Sequence, residues 1–255
     1  MIAKPLKTSL NVIFYGDTIM TKLSLQLIRL RRAIGVWLTD IIIRNRHFIN
    51  RRVFYREALS LYNYMFSPHQ LAYLCNVLDR VRQVEGCFVE VGCAYGSTTA
   101  YLNMHLKHQG RTVDYIALDT FQGFVSNHAD YEVSVRGKSS SLHHFFSINK
   151  KKWVQAGLDD CGFTKIRLEQ TDCTTFDFDH LKPIAFALVD VDLYLPIRDI
   201  LPKLYRNMAP GGIIVVDDCQ PNTLWDGANQ AYREFVEAHG LPVTIAADKL
   251  GIIIV

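Results

Sequence analysis

Residues 86–99 read Gly86-Cys-Phe-Val-Glu90-Val-Gly92-Cys-Ala-Tyr-Gly96-Ser-Thr-Thr99. The short apolar run from Cys87 to Val91 predicts a buried strand, the glycines a tight turn, and Ser97 to Lys107 a helix whose first residues suit an N-terminus. Strand, loop and helix in that order begin an α/β unit. The glycines let the backbone come close to a ligand, and the helix N-terminus offers unpaired N–H groups to an anion. The spacing is G-x-x-x-G, not the G-x-G-x-x-G of dinucleotide-binding turns, and Glu90 stands just ahead of it.

Working outward, further apolar runs alternate with helical stretches. Strands are expected at Val113 to Leu118, Ile166 to Glu169, Ile184 to Val189, Gly212 to Val216, Pro242 to Ala246 and Ile252 to Val255, with helices at Tyr194 to Met208 and Asn222 to His239. Strands buried on both faces and alternating with helices imply a mainly parallel sheet of seven strands, covered on each side. The terminal IIIV is expected inside that sheet, because a free tail of this composition exposes a sticky edge. The polar stretch from Thr120 to Leu142 follows the second strand directly and is expected to be a lid loop.

Composition bounds the rest. The chain has 255 residues, 49% hydrophobic and 21% charged, with 8 Pro and 15 Gly, which excludes disorder, collagen and coiled coil. No uncharged apolar run approaches the roughly 18 residues of a membrane span; the nearest, Ala33 to Ile43, carries Asp40. Lys4 and Lys7 precede a stretch interrupted by Asn11 with no small-residue cleavage site after it, so no signal peptide is expected. Translation starting at Met1 or at Met20 stays open. The six cysteines lie at least six residues apart, without CxxC spacing, and are expected as buried reduced thiols in a cytoplasmic protein.

The formal net charge of +3 is unevenly spread. Residues 1–60 hold eleven Lys or Arg against Asp17, Asp40 and Glu57, a balance of +8, leaving −5 for the remainder. Met20 to Arg56 also has helical periodicity through Leu23, Leu27, Leu30, Ile34 and Ile41. We expect a basic helical extension over 1–66 and a main domain over 67–255. The extension's apolar stripe is expected to dock on that domain or on a second subunit in a homo-oligomer. Lying on an anionic membrane is its other reading.

In open α/β sheets ligands bind beyond the carboxyl ends of the strands. A carboxylate at Glu90 repels a pyrophosphate but pairs with an ammonium, so the loop calls for a ligand with an amino-acid end. S-adenosylmethionine has one. Gly92, Cys93, Ala94, Tyr95, Gly96, Ser97 and Thr98 are its expected cradle. Asp119, with Thr120 and Phe121 after the second strand, is expected to accept from the ribose hydroxyls, and Asp172, beside Cys173, from the adenine amine.

Two motifs end the fourth and fifth strands: Val189-Asp190-Val-Asp192-Leu-Tyr194 and Gly211-Gly-Ile-Ile-Val-Val-Asp217-Asp218-Cys219. Four carboxylates on one sheet edge repel each other and resist ionisation, so a positive charge should sit among them. No Lys or Arg lies within the motifs, and a hard divalent cation such as Mg2+ is the economical answer. Capping of the following helices, with one Asp protonated, is the bland alternative.

These motifs, with Asp119-Thr-Phe-Gln-Gly123-Phe and Pro210-Gly-Gly, resemble the macrocin O-methyltransferase family over roughly residues 85–220. Its members are magnesium-dependent class I methyltransferases acting on sugar hydroxyls. The resemblance implies Asp190, Asp217 and Asp218 as metal ligands, Asp190 also beside the cofactor, Asp192 as the general base, and a Rossmann-like sheet with an antiparallel last strand. This chain departs in lacking a proline shortly after the Asp-x-Phe-x-Gly motif and in having Cys219 where Tyr is common.

His128, His143 and His144 lie in or beside the lid; His143 and His144 are candidate substrate contacts, although a polar loop often holds histidines without function. Tyr194 and Trp225 are candidate walls for a sugar or aryl ring. The leading expectation is a metal-dependent O-methyltransferase on a hydroxyl of a sugar or glycosylated natural product. The nearest alternative is a catechol-type enzyme on an aromatic diol, and a non-catalytic membrane- or nucleic-acid-associated protein comes third. A small-molecule acceptor is the expected partner and no nucleic acid is expected.

Overall fold

The computed structural model describes residues 27, 29–41 and 64–255. The chain divides into two compact units, Met1–Leu59 and Ser60–Val255. In the first, 29–41 is helical, and Leu30, Ile34, Trp37 and Leu38 on it are exposed. The other residues of the expected basic helix lie outside the described ones. No described helix is long and apolar enough to cross a membrane.

The second unit opens with helix α1 (Pro68–Arg80), which the periodicity reading did not single out. Its signal was the Ser-x-x-Gln start. Ser67 Oγ accepts from Gln70 N–H, Gln70 Oε1 accepts from Ser67 N–H at 2.8 Å, and Pro68 sits at the first helical position. There follow β1 (Cys87–Val91), α2 (Ser97–His108), β2 (Tyr115–Asp119), α3 (Ser126–Ser134), α4 (Lys151–Asp160), β3 (Arg167–Gln170), β4 (Ile184–Val189), α5 (Tyr194–Tyr205), β5 (Met208–Val216), α6 (Asp226–Ala238), β6 (Ile245–Ala246) and β7 (Leu250–Ile254).

The seven strands make one sheet in the order β3-β2-β1-β4-β5-β7-β6. The first five are parallel, and β7 runs antiparallel to both β5 and β6. Alternation along β1 sends Val89 and Val91 to one face, where α5 and α6 cover them with Ile197, Ile200, Leu204, Tyr232 and Phe235. Phe88 faces the other side, under Leu74 and Leu78 of α1, Leu102 of α2 and Leu158 of α4. Cys87, Cys93, Cys173 and Cys219 are buried within these layers; Cys161 is exposed.

The expected strand Pro242 to Ala246 shortens to two residues. Thr244 keeps one bond to the sheet, its carbonyl accepting from Ile252 N–H at 2.9 Å, while its N–H donates to the Tyr232 hydroxyl at 2.9 Å. The stretch expected as a lid loop carries α3 and a short 3-10 helix, Ser140–His144. Its sequence has little apolar stripe of its own. Its order comes from long-range polar contacts: buried Glu132 accepts from Tyr194 N–H at 2.8 Å, and Asp226 receives Arg136 at 2.8 Å and Lys138 at 2.7 Å.

Candidate active site

Because β1, β4 and β5 are parallel and in register, their carboxyl ends lie side by side, and backbone bonds extend the alignment past the strands. Gly92 N–H donates to Leu118, Asp190 N–H to Val91 and Asp217 N–H to Val189, each at 2.8 Å. A cavity of about 470 Å³ opens beyond this edge. Gly92 admits the chain there only as glycine: its φ is +93°, and a Cβ would sit 1.8 Å from the Asp190 carbonyl oxygen.

One side of the cavity holds Gly92, Ala94, Asp119, Thr120, Asp172 and Cys173. Asp119 accepts from Ala94 N–H at 2.9 Å and Phe121 N–H at 2.6 Å, which aims its carboxylate across the loop; burial pushes its pKa up against these two bonds. Asp172 Oδ1 accepts from the Thr174 N–H and hydroxyl, both at 2.9 Å. Asn149 steadies the loop by donating to the Ala94 carbonyl at 2.7 Å.

The other cradle residues do not line the cavity. Tyr95 is exposed, Phe121 and Cys93 are buried in the core, and Gly96, Ser97 and Thr98 form the start of α2. Glu90 is also placed elsewhere. Strand alternation turns it to the face of Phe88, where it is 1% exposed and accepts from the Tyr115 hydroxyl at 2.7 Å. Burial raises its pKa to about 7 against that bond.

The other side gathers the acidic motifs. Carboxylate oxygens of Asp190, Asp192 and Asp218 lie within 4.8 Å of one another. Asp192 and Asp218 hold left-handed backbone conformations, φ +60° and +57°, which aspartate tolerates better than most residues. Burial, then the neighbouring carboxylates, raises the pKa of Asp190 and Asp192 well above the usual range. Asp217 is not in that trio. Its Oδ2 accepts from Lys249 Nζ at 2.7 Å, while its Oδ1 is buried with no hydrogen-bond partner.

Lys249 was not anticipated. It also donates to Asp218 Oδ1 at 2.8 Å, so the positive charge absent from both motifs arrives from the β6–β7 turn. The signal was the reversed last strand: antiparallel pairing sets Gly251 opposite Val216, and so brings the start of β7 to the carboxyl edge. As a donor set, three clustered carboxylates and the orphaned Asp217 oxygen are hard oxygen ligands that suit a divalent cation such as Mg2+. Hard oxygen donors of this kind are the ligands that Mg2+ takes.

Phe124, Phe145, Phe146 and Trp225 wall the outer cavity, with Phe145 and Phe124 packing on Trp225 at 5.4 and 5.8 Å between ring centroids. Trp225 thus stands where a ring wall was expected, and Tyr194 does not. Tyr194 stacks on Tyr131 and donates its hydroxyl to Glu234 at 2.8 Å, as α5–α6 packing directs. His143 and His144 lie outside the cavity lining, His143 at 3.4 Å from Asp130. Buried His128 lines the cavity instead.

This strand order, with its reversed last strand and a loop-bound cavity at the carboxyl edge, defines a class I methyltransferase fold. The sequence profile described as macrocin O-methyltransferase (TylF) matches residues 39–253, and the chain belongs to that family of O-methyltransferases, whose methyl donor is S-adenosylmethionine. Among solved structures, the chain is similar to CalS11, calicheamicin methyltransferase (17% identity, 87% of this chain and 91% of that one, TM-score 0.62). It is similar also to the O-methyltransferase NovP (18%, 87% and 98%, TM-score 0.61). Among curated proteins, none matches the sequence.

Proposed function

We propose that this chain methylates a hydroxyl of a sugar or glycosylated natural product, with a divalent cation at its acidic cluster. The observation that carries the reading is that one cavity joins Asp119 and Asp172 on one side to Asp190, Asp192 and Asp218 on the other, under an aromatic wall. The family description supports a sugar-bearing acceptor, as does the apo CalS11 structure, described as a TDP-rhamnose 3'-O-methyltransferase (17% identity, 87% of this chain and 93% of that one, TM-score 0.53).

In this reading Asp119 holds the ribose hydroxyls, Asp172 faces the adenine, and Gly92 and Ala94 form the cradle for the amino-acid end. Asp190 and Asp218 hold the cation, with Asp217 Oδ1 as a further donor. Bound there, the cation lowers the acceptor hydroxyl's pKa and fixes its approach. Asp192 takes the hydroxyl proton as the oxygen–methyl bond forms and the sulfur–methyl bond breaks. A carboxylate of ordinary pKa near 4 is a weak base for an alcohol, so Asp192 acts on a hydroxyl that the cation would already have acidified. Phe124, Phe145, Phe146 and Trp225 pack on the acceptor ring and exclude water. Residues 67–255 are the catalytic domain and 1–66 a basic extension.

The same aromatic wall supports a second reading, an aromatic diol as acceptor. Calorimetric titration of S-adenosylhomocysteine with Mg2+ and with EDTA, followed by methyl transfer to glycoside and catechol acceptors, tests both. Cofactor binding in both buffers, with transfer to glycosides only when Mg2+ is present, is expected. Transfer to catechols alone selects the second reading. Absence of S-adenosylhomocysteine binding overturns the assignment.

A further inference from the structure

Lys249 is placed with unusual care for a residue in a two-strand turn. Ala247 and Asp248 before it have φ of +45° and +72°. The Ala247 carbonyl accepts from Gln70 of α1, the Asp248 carbonyl from Gln220, and the Lys249 carbonyl from Cys219 N–H at 2.8 Å. Its side chain crosses the buried Phe66 ring, 5.2 Å from the centroid, and ends between Asp217 Oδ2 and Asp218 Oδ1. Two separate segments, 66–70 and 217–220, therefore fix one ammonium against the cluster.

Four clustered carboxyl groups, Asp217 buried and Asp190, Asp192 and Asp218 half-buried, meet one ammonium, and Asp217 Oδ1 still lacks a partner. We propose that Lys249 is a resident counter-cation that holds the acidic cluster together when no metal ion is bound and competes with the ion that enters it. The inference rests on the cation reading above and deepens it. Its sign follows from linkage: a divalent ion in the cluster offsets two of the negative charges that attract the ammonium, so the ion weakens the ammonium's hold. By reciprocity the ammonium weakens the ion's binding by the same factor. Loss of ligand orientation does not reverse that sign, because the backbone holds Asp217 and Asp218 independently, through the Asp217 N–H bond to Val189 and the left-handed turn at Asp218.

The test is Mg2+ titration by calorimetry, with thermal melts in EDTA and in Mg2+, on the full chain without acceptor. Lys249→Met is expected to bind Mg2+ at least tenfold more tightly than wild type, to melt lower in EDTA, and to gain more from Mg2+. Lys249→Arg keeps the charge and should stay near wild type. Lys249→Gln, which keeps a hydrogen-bonding group, replaces the Met variant if that fails to fold. An ammonium with a structural role alone would lower the melting temperature equally in both buffers and leave Mg2+ affinity unchanged. That outcome, or weaker binding in the Met variant, overturns the proposal. Binding by Lys249→Met but not by wild type supports the proposal while removing the cation reading for the native chain. Binding by neither removes both.

Discussion

Asp192 and Asp218 carry left-handed backbone angles at the ends of adjacent strands, a conformation that costs a non-glycine residue about 1 kcal/mol. Strain of this size at the carboxyl edge fits a site that must aim carboxylates. Asp192→Asn should lower turnover by roughly 10²–10³-fold, the range of a lost general base, while S-adenosylhomocysteine affinity in calorimetry stays within about threefold. Equal losses of both would show that Asp192 holds structure. Glu90 makes a different prediction. Its pKa is raised to about 7 in the fold, from an ordinary 4.5. Below the lower value it is protonated in folded and unfolded chains alike. Between 4.5 and 7 the unfolded chain ionises while the folded chain keeps the proton, so this contribution to stability falls across that window and is fully lost once pH has passed 7. Glu90→Gln removes that slope and should gain about 3 kcal/mol on wild type between pH 4 and pH 8, read by urea unfolding in EDTA. Glu90 also shows a limit of residue-level reading. Its place beside the glycine turn was visible, but the face it takes was set by strand alternation and by Tyr115.

At the scale of elements, β1, β4 and β5 were legible because continuous apolar runs bounded by turn residues admit little else. The third strand began one residue later than expected, at Arg167, and α5 stopped at Tyr205. Helix α3 was missed for a physical reason: its partners are Tyr194 and Asp226, far away in sequence, and no local pattern announces them. Burial opposes the charge on Asp226, yet Lys138 and Arg136 outweigh it and hold its carboxyl below the usual range. Asp226→Ala should therefore loosen the cover over the cavity. Amide exchange across residues 126–146 is expected to rise roughly tenfold, a local loss of about 1–2 kcal/mol, with a higher KM for acceptor and unchanged cofactor affinity. Helix α6 is tied to the last hairpin by Tyr232, whose buried hydroxyl donates to the Thr244 carbonyl at 2.8 Å. Tyr232→Phe should cost about 1–3 kcal/mol in chemical denaturation, because it leaves the Thr244 N–H unpaired.

Across the whole molecule, the described residues that build both core layers of the sheet lie at or beyond position 64. A fragment starting at Ser60 should then unfold cooperatively and bind S-adenosylhomocysteine with the affinity of the full chain, as calorimetry would read it; loss of binding would show that the first unit completes the cofactor site. The order of the strands along the chain, the acidic residues at the strand ends and the family followed from the sequence by itself. Burial on both sheet faces writes apolar runs into the chain, and charges that interrupt them at strand ends stand out. The partners of those charges were decided only by tertiary structure. Lys249 reaches Asp217 and Asp218 because an antiparallel strand returns to the carboxyl edge, His128 lines the cavity because a clasped helix turns it inward, and Tyr194 leaves the cavity because two helices pack around it. Each is a meeting of residues distant in the chain, and local periodicity carries no record of such meetings.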